Sequence, residues 1–266
     1  MTIWIDQPIW PRHGTLFAHL ISDASLAELH DFAHAAGLPV RAFEGDHYDV
    51  PLERYAAVLA AGATSIPGAE LVRLLVGSGL RLRKRKGDRP VARVTGVSFP
   101  DGSRADVDLV ASGRLIDREP VFAAMAFLRD ASGRFAVVHS PRREAWGSPG
   151  GWLEAGEDPA AGAVREVAEE TGIRLSPGEL TPCAYERFDV TAESGSRLRP
   201  GRSCLQVFSA SLPVERPALT TAFDDVDEAR WVDRLAFERL CGSQFWWPLV
   251  PHLFGADLGE DLGAKG

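Results

Sequence analysis

Three carboxylates stand close together past the middle of the chain. Glu166, Glu169 and Glu170 are spaced i, i+3 and i+4, the interval that places side chains about 5–6 Å apart on one face of a helix. Helix signals flank them: Asp158 is a good N-cap, Pro159 suits the first helical position and Gly172 suits the stop. A solvated face would explain any one of these Glu residues. Three of them with only Arg165 as a basic neighbour disfavour an isolated helix. A hard divalent cation relieves the conflict, because magnesium and manganese prefer carboxylate oxygens and keep several waters for chemistry. Ahead of the helix, Ser148, Pro149, Gly150 and Gly151 read as a tight turn, whose backbone can approach metal or phosphate without a Cβ in the way.

The wider segment, residues 151–173, reads GWLEAGEDPAAGAVREVAEETGI. Gly151, Glu157, Arg165, Glu166, Val167, Glu169, Glu170, Gly172 and Ile173 fill every fixed position of Gly-x5-Glu-x7-Arg-Glu-U-x-Glu-Glu-x-Gly-U, with U a bulky aliphatic residue. With average residue usage, a chance match at one window is on the order of 10⁻⁹, so the pattern is specific. It resembles the signature of the Nudix hydrolases, and a looser likeness runs from about residue 121 to 240.

That resemblance implies an α/β/α sandwich with a mixed sheet and a loop-helix-loop box. It implies metal ligands at Glu166, Glu169, Glu170 and the carbonyl of Gly150, with Mg2+ or Mn2+ as the ion. Glu166 or Glu170 would be the general base, unless it lies on a distal loop, where Asp224, Asp225 and Glu228 are the candidates. Arg165 would orient a neighbouring carboxylate, and Glu157 and Gly151 would brace the loop. The reaction implied is water attack on phosphorus, cleaving a phosphoanhydride bond in a nucleoside diphosphate linked to another moiety. Arg142 and Arg143 could grip a phosphate by bidentate contacts, and Phe188 or Trp152 could stack on a base, though such aromatics are more often core. The stretch 188–191 lacks the Pro or Tyr that marks some family members, leaving the nucleotide open. Nucleotide sensing without turnover, with the N-terminal domain as effector, is the alternative. Sensors usually lose box carboxylates, whereas this chain keeps them all.

A second group of chemically capable residues lies near the start. Asp6, His13, His19, Asp23, Asp46, His47 and Asp49 could hold a transition metal, or act as acid and base on a phosphate ester. Capping and loop hydrogen bonds explain them equally well. The stretches WIDQPIWPRHGTLFAHLISD and FEGDHYDVP resemble a bacterial family known as domain of unknown function 4031, over roughly residues 1–83. That name implies no activity.

These residues need elements to position them. Residues 3–5 read as a short strand, followed by a loop rich in Pro, Gly and His as far as Asp23. A helix then starts at a capping box of Ser25 and Glu28 and stops at Gly37. His30 and His34 fall on one face of it, consistent with a surface. Further helices are expected at 52–61 and about 67–76, the latter capped by Ser65. Strands follow at 91–99, 104–110, 121–128, 135–139, 182–188, 203–211 and 229–232, with a closing helix at 234–240. The class is α+β: a small N-terminal α/β domain over 1–83, a basic linker and β-hairpin over 84–115, and the Nudix-like domain over 116–266. The hairpin at 91–110 either belongs to that last fold or serves as an arm joining a homodimer.

Bulk properties narrow the partners. With 266 residues, two domains are the better expectation. A net charge of −8 argues against tight nonspecific binding to nucleic acid. The run RLRKRKGDR at 81–89 departs from that trend, and reads as a solvated linker or as a clamp for an anion. A guided RNA end is the least supported function. The three cysteines, Cys183, Cys204 and Cys241, are too few for a disulfide framework and read as small core residues. With no secretory leader or membrane span recognisable, a small-molecule nucleotide as partner, no membrane association and a cytoplasmic location are expected.

Overall fold

The structure is a computed structural model that describes residues 3–82, 84–99, 102–117, 120–190, 201–221 and 225–255. It divides into two compact units, Met1–Arg93 and Val94–Gly266.

The first unit is a five-stranded sheet with helices on both faces. Its strands are β1 (Ile3–Ile5), β2 (Trp10–Arg12), β3 (Thr15–Ser22), β4 (Tyr48–Pro51) and β5 (Thr64–Ser65), and its helices are α1 (Leu26–Ala35), α2 (Leu52–Ala60) and α3 (Gly68–Gly77). β3 is the hub, antiparallel to β1, β2 and β4. Its side chains alternate. Ala18 and Leu20 pack with Leu29, Ala33 and Val58 of α1 and α2, while Ile21 meets Leu71 and Leu75 of α3 on the other face.

Several expectations need correction here. The supposed loop before Asp23 is the β2–β3 hairpin, turned by His13 and Gly14, both with positive φ (48° and 78°). The Ser25 hydroxyl accepts the Glu28 N–H, as expected, while the Ser25 N–H donates to the Ser22 hydroxyl at 3.1 Å and the Glu28 carboxylate takes that hydroxyl's proton at 2.5 Å. Ser65 does not cap α3, whose N-cap is Pro67; its hydroxyl bonds that of Tyr55 instead. His30 is not a bare surface residue, since its Nδ1 meets the Tyr48 hydroxyl at 2.8 Å.

The basic run is not a free linker either. Leu82 is buried, its N–H is bound by Asp46, and Arg81 and Lys84 reach Asp46 and Glu44 at 3.4 and 3.6 Å. Gly45 packs so tightly on Pro90 that a Cβ would lie 2.2 Å from the proline ring. Arg81, Lys84 and Arg85 of the run are thus paired with acids of their own unit. Arg83 lies outside the described residues.

The second unit is built on nine strands: β6 (Arg89–Ser98), which carries the chain across the boundary, β7 (Arg104–Ala111), β8 (Val121–Arg129), β9 (Phe135–Ser140), β10 (Ala145–Gly147), β11 (Gly150–Trp152), β12 (Thr181–Val190), β13 (Gly201–Ser211) and β14 (Glu228–Val232). They run in the order β10-β9-β8-β13-β12-β7-β6, with β11 added on β8 and β14 on β9. β13 is parallel to β8, whereas β12 is antiparallel to β13 and β7, so the sheet is mixed. The hairpin of β6 and β7 thus belongs to this fold.

Helices cover both faces of this sheet. On one, α4 (Pro159–Thr171) buries Ala163 and Val167 against Ala124, Ala126 and Leu128 of β8 and Phe208 of β13. On the other, α5 (Arg234–Cys241) and α6 (Leu249–Phe254) enclose aromatic rings, with Phe135 stacked on Phe237 at 4.7 Å and Phe127 edge-on to Phe254 at 5.5 Å. This is the expected α/β/α layering. Among the described residues no helix is long and apolar enough to cross a membrane.

Candidate active site

The caps of α4 are as its sequence suggests. The Asp158 carboxylate accepts from the N–H groups of Ala160 and Ala161, Pro159 opens the helix, and Gly172 closes it with φ 73°. Arg165 then holds three elements together. Its guanidinium makes two 2.9 Å bonds to the Glu157 carboxylate, reaches Glu166 at 2.8 Å and Glu169 at 3.2 Å, and donates to the Trp152 carbonyl at 3.0 Å. Glu157 also accepts the Glu154 N–H, so the loop before the helix is tied to its second turn. The Arg165 fork holds the Glu157 carboxyl below the usual carboxylate range.

The glycine segment is not an open turn. Gly150–Trp152 is β11, paired antiparallel with β8, and the Gly150 N–H donates to Glu170 Oε2 at 2.9 Å. Both glycines are needed for contact reasons: a Cβ on Gly150 would lie 2.5 Å from Met125, and one on Gly151 would lie 2.6 Å from the Glu166 carboxylate. Burial pushes the Glu170 pKa up to about 7, against the Gly150 hydrogen bond, and burial also raises Glu166 despite Arg165. The box thus gathers Glu157, Arg165, Glu166, Glu169, Glu170, Gly150 and Gly151 in one place.

A cavity of about 420 Å³ opens beside it, lined by Gly150, Gly151, Arg143, Trp152, Phe188 and Glu186 among others. Its walls are aromatic: Phe122 lies 4.9 Å from Trp152 and 5.1 Å from Phe188, ring to ring. Phe188, expected as a stacking residue, is a buried part of that wall. Arg143 lies on the cavity, whereas Arg142 points to solvent and pairs with Asp225 at 3.6 Å. Asp225 is exposed, Glu228 is taken by Arg230, and Asp224 lies outside the described residues.

The residue that sequence reasoning missed is Glu186. It is fully buried on β12, lines the cavity, and has no hydrogen-bond partner among the described residues on either carboxylate oxygen; burial pushes its pKa up to about 8. Its position in an alternating strand is the signal available: Ala184, Glu186 and Phe188 share one face, so a carboxyl stands in an apolar row. Ser148 also lines the cavity, its buried hydroxyl without a partner among the described residues.

In the first unit, five of the seven early candidates come together. β3 and β4 set His19 opposite Asp49, His47 precedes Asp49 by two residues, and Asp6 follows β1. Asp6 accepts His19 Nδ1 at 3.0 Å, and Asp46 meets His47 Nδ1 at 2.5 Å. His13 sits in the β2–β3 turn and Asp23 follows β3; neither joins the group formed by His19, His47 and Asp49.

Comparison with known proteins agrees with this division. Residues 3–78 match the family model described as protein of unknown function (DUF4031), and residues 119–253 match the NUDIX domain model. A "MutT-like protein" of Streptomyces ambofaciens is 47% identical over 49 residues, 18% of this chain and 32% of that protein. An "RNA pyrophosphohydrolase" of Rhodospirillum rubrum is 38% identical over 97 residues, 34% of this chain and 58% of that protein. The chain therefore spans between a third and three fifths of the length of these curated relatives. The E. coli dihydroneopterin triphosphate pyrophosphohydrolase structure aligns with a TM-score of 0.40 and 20% identity, covering 52% of this chain and 99% of that one. With the box complete and the NUDIX model spanning residues 119–253, half of the sequence, the chain belongs to the Nudix family.

Proposed function

We propose that the second unit hydrolyses a phosphoanhydride bond of a nucleoside diphosphate linked to another moiety, by water attack on phosphorus. The observation that carries this reading is the convergence of Glu166, Glu169 and Glu170, organised by Arg165, beside an aromatic cavity that ends in Glu186. The donor set fits magnesium or manganese. All three groups are hard oxygen donors, and Glu166 and Glu170 are each raised in pKa partly by a neighbouring carboxylate, a crowding that a divalent cation relieves. Glu166, Glu169, Glu170 and the Gly150 carbonyl would hold it. When bound, such a cation neutralises phosphate charge and acidifies a coordinated water.

The chain's own residues do the rest. Arg165 fixes Glu166 and Glu169, Glu157 fixes Arg165, and Gly151 leaves room for the Glu166 carboxylate. Glu166 and Glu170 are the two buried carboxylates placed to take a proton from the incoming water. Arg143, at the cavity, would grip a phosphate. The nucleobase would occupy the aromatic cavity with its N–H edge on Glu186, whose oxygens have no donor among the described residues. A second copy pairing through the hairpin would meet β6, because β7 is already taken by β12.

The test is product release from a panel of nucleoside triphosphates, nucleotide sugars, dinucleotides and 5′-triphosphorylated RNA, with magnesium. The RNA arm follows from the Rhodospirillum relative. Nucleoside monophosphate or an equivalent product should appear with the native chain and be lost in Glu169→Gln. Equal rates in both would overturn the reading.

A further inference from the structure

We propose that His19, His47 and Asp49 form a separate mononuclear site in the first unit for a first-row transition cation of the zinc class. The ligand atoms, one from each residue, lie within 4.8 Å of one another. His47 Nε2 is 3.4 Å and His19 Nε2 is 3.9 Å from the same oxygen, Asp49 Oδ1. A tetrahedron with metal–ligand bonds of about 2.0–2.1 Å has edges of about 3.4 Å, so small side-chain rotations close the triad around one ion.

Hydrogen bonding at the far side of each ring orients the nitrogens. Asp6 is buried and accepts three donors: the His19 backbone N–H at 2.6 Å, the Trp10 indole at 3.1 Å and His19 Nδ1 at 3.0 Å. An ionised carboxylate only accepts, so His19 Nδ1 carries a proton. Asp46 holds His47 Nδ1 in the same way through Oδ1, while its Oδ2 takes the Leu82 N–H at 3.0 Å and faces Arg81. With both Nδ1 atoms engaged by carboxylates, the Nε2 of each ring is the nitrogen turned toward the same carboxylate oxygen. Carboxylates behind metal-binding histidines play this supporting role in metal sites generally. Arg12 binds the other oxygen, Asp49 Oδ2, at 2.7 Å, which leaves Oδ1 for the ion.

The donors choose the metal. Two imidazoles and one carboxylate suit zinc, iron or cobalt, whereas magnesium prefers an all-oxygen shell. Three protein ligands leave a position for water or an anion, and the half-exposed Arg12 is the nearest cationic side chain shown on Asp49. Strand pairing supplies the rigidity: His19 and Asp49 are cross-strand partners in the antiparallel pair of β3 and β4. This inference is independent of what α4 binds.

The experiment uses the full chain with the α4 carboxylates silenced as Glu166→Gln/Glu169→Gln, stripped with chelator and titrated with Co2+. One equivalent per chain should produce the intense visible bands of a low-coordinate site, displaced by Zn2+ but not by excess Mg2+. His19→Ala and His47→Ala should each abolish the bands, and His34→Ala should leave them. Asp6→Asn, which keeps every ligand, should weaken Zn2+ binding about 10–100-fold. Only the faint spectrum of hydrated cobalt in the silenced chain, or unchanged stoichiometry in both folded histidine variants, would overturn the proposal. Should those variants not fold, by circular dichroism, the cobalt spectrum of the silenced chain alone decides.

Discussion

A Cβ built on Gly151 would lie 2.6 Å from the carboxylate carbon and both oxygens of Glu166. The atoms in the way are the far end of a side chain rather than backbone, so the fold can yield where the site cannot. Gly151→Ala should move the Glu166 carboxylate by roughly 1 Å, a displacement that can cost about 100-fold in rate. Steady-state kinetics with the best substrate of the panel, beside a melting curve, separates the two effects. A large loss of melting temperature with normal specific activity would contradict this account.

Arg165→Lys keeps the charge but loses the planar fork that serves Glu157, Glu166, Glu169 and the Trp152 carbonyl together. The magnesium concentration for half-maximal activity should rise about 10–100-fold. Glu157→Gln should move it in the same direction by less, since one side of the fork remains. An unchanged metal dependence in both variants would show that the brace does not organise the carboxylates.

Glu186 makes stability depend on pH. Its folded-state pKa stands at about 8 against 4.5 for an ordinary glutamate, so the folded chain retains a proton that the unfolded chain has released. Stability from this group is fully present below about pH 4.5 and falls as pH rises toward 8. Glu186→Gln should remove that slope and raise the melting temperature most near pH 8, the gain being on the order of 1–3 kcal/mol. The same variant should change the ranking of nucleobases in the panel, mainly through KM. A parallel pH profile in both proteins, or an unaltered ranking, counts against the assigned role.

Asp158→Ala removes the side chain that caps α4 through Ala160 and Ala161. The expected cost is about 1 kcal/mol, read from denaturant unfolding at unchanged slope. Because the cap lies two turns from Glu166, activity per folded molecule should stay close to native.

The box was legible because its information is local. One helix carries Asp158, Arg165, the three carboxylates and Gly172, and spacing along a helix determines which side chains meet. Glu186 was hidden for the opposite reason. β12 is covered on both faces, so Tyr185, Glu186, Arg187 and Phe188 are all buried and the usual contrast between wet and dry positions disappears. The first unit was harder still. A Pro, His and Gly around a hairpin turn disguised β3 as loop, and without β3 nothing in the sequence says that His19 lies opposite Asp49 while His13 and Asp23 fall away. Residue types could be named there, but only strand pairing sorted them. That the hairpin joins this sheet follows from the pairing of β7 with β12, which no local pattern specifies.

The parallel pairing of β8 with β13 has a bearing on how the polypeptide is made. Ala123 to Arg129 find their partners at Leu205 to Ser211, some eighty positions later. Contacts so distant along the sequence are slow to form. On the ribosome, the first unit can mature while β8 still waits with an open edge, and the second unit becomes whole only after the strand that completes it has emerged.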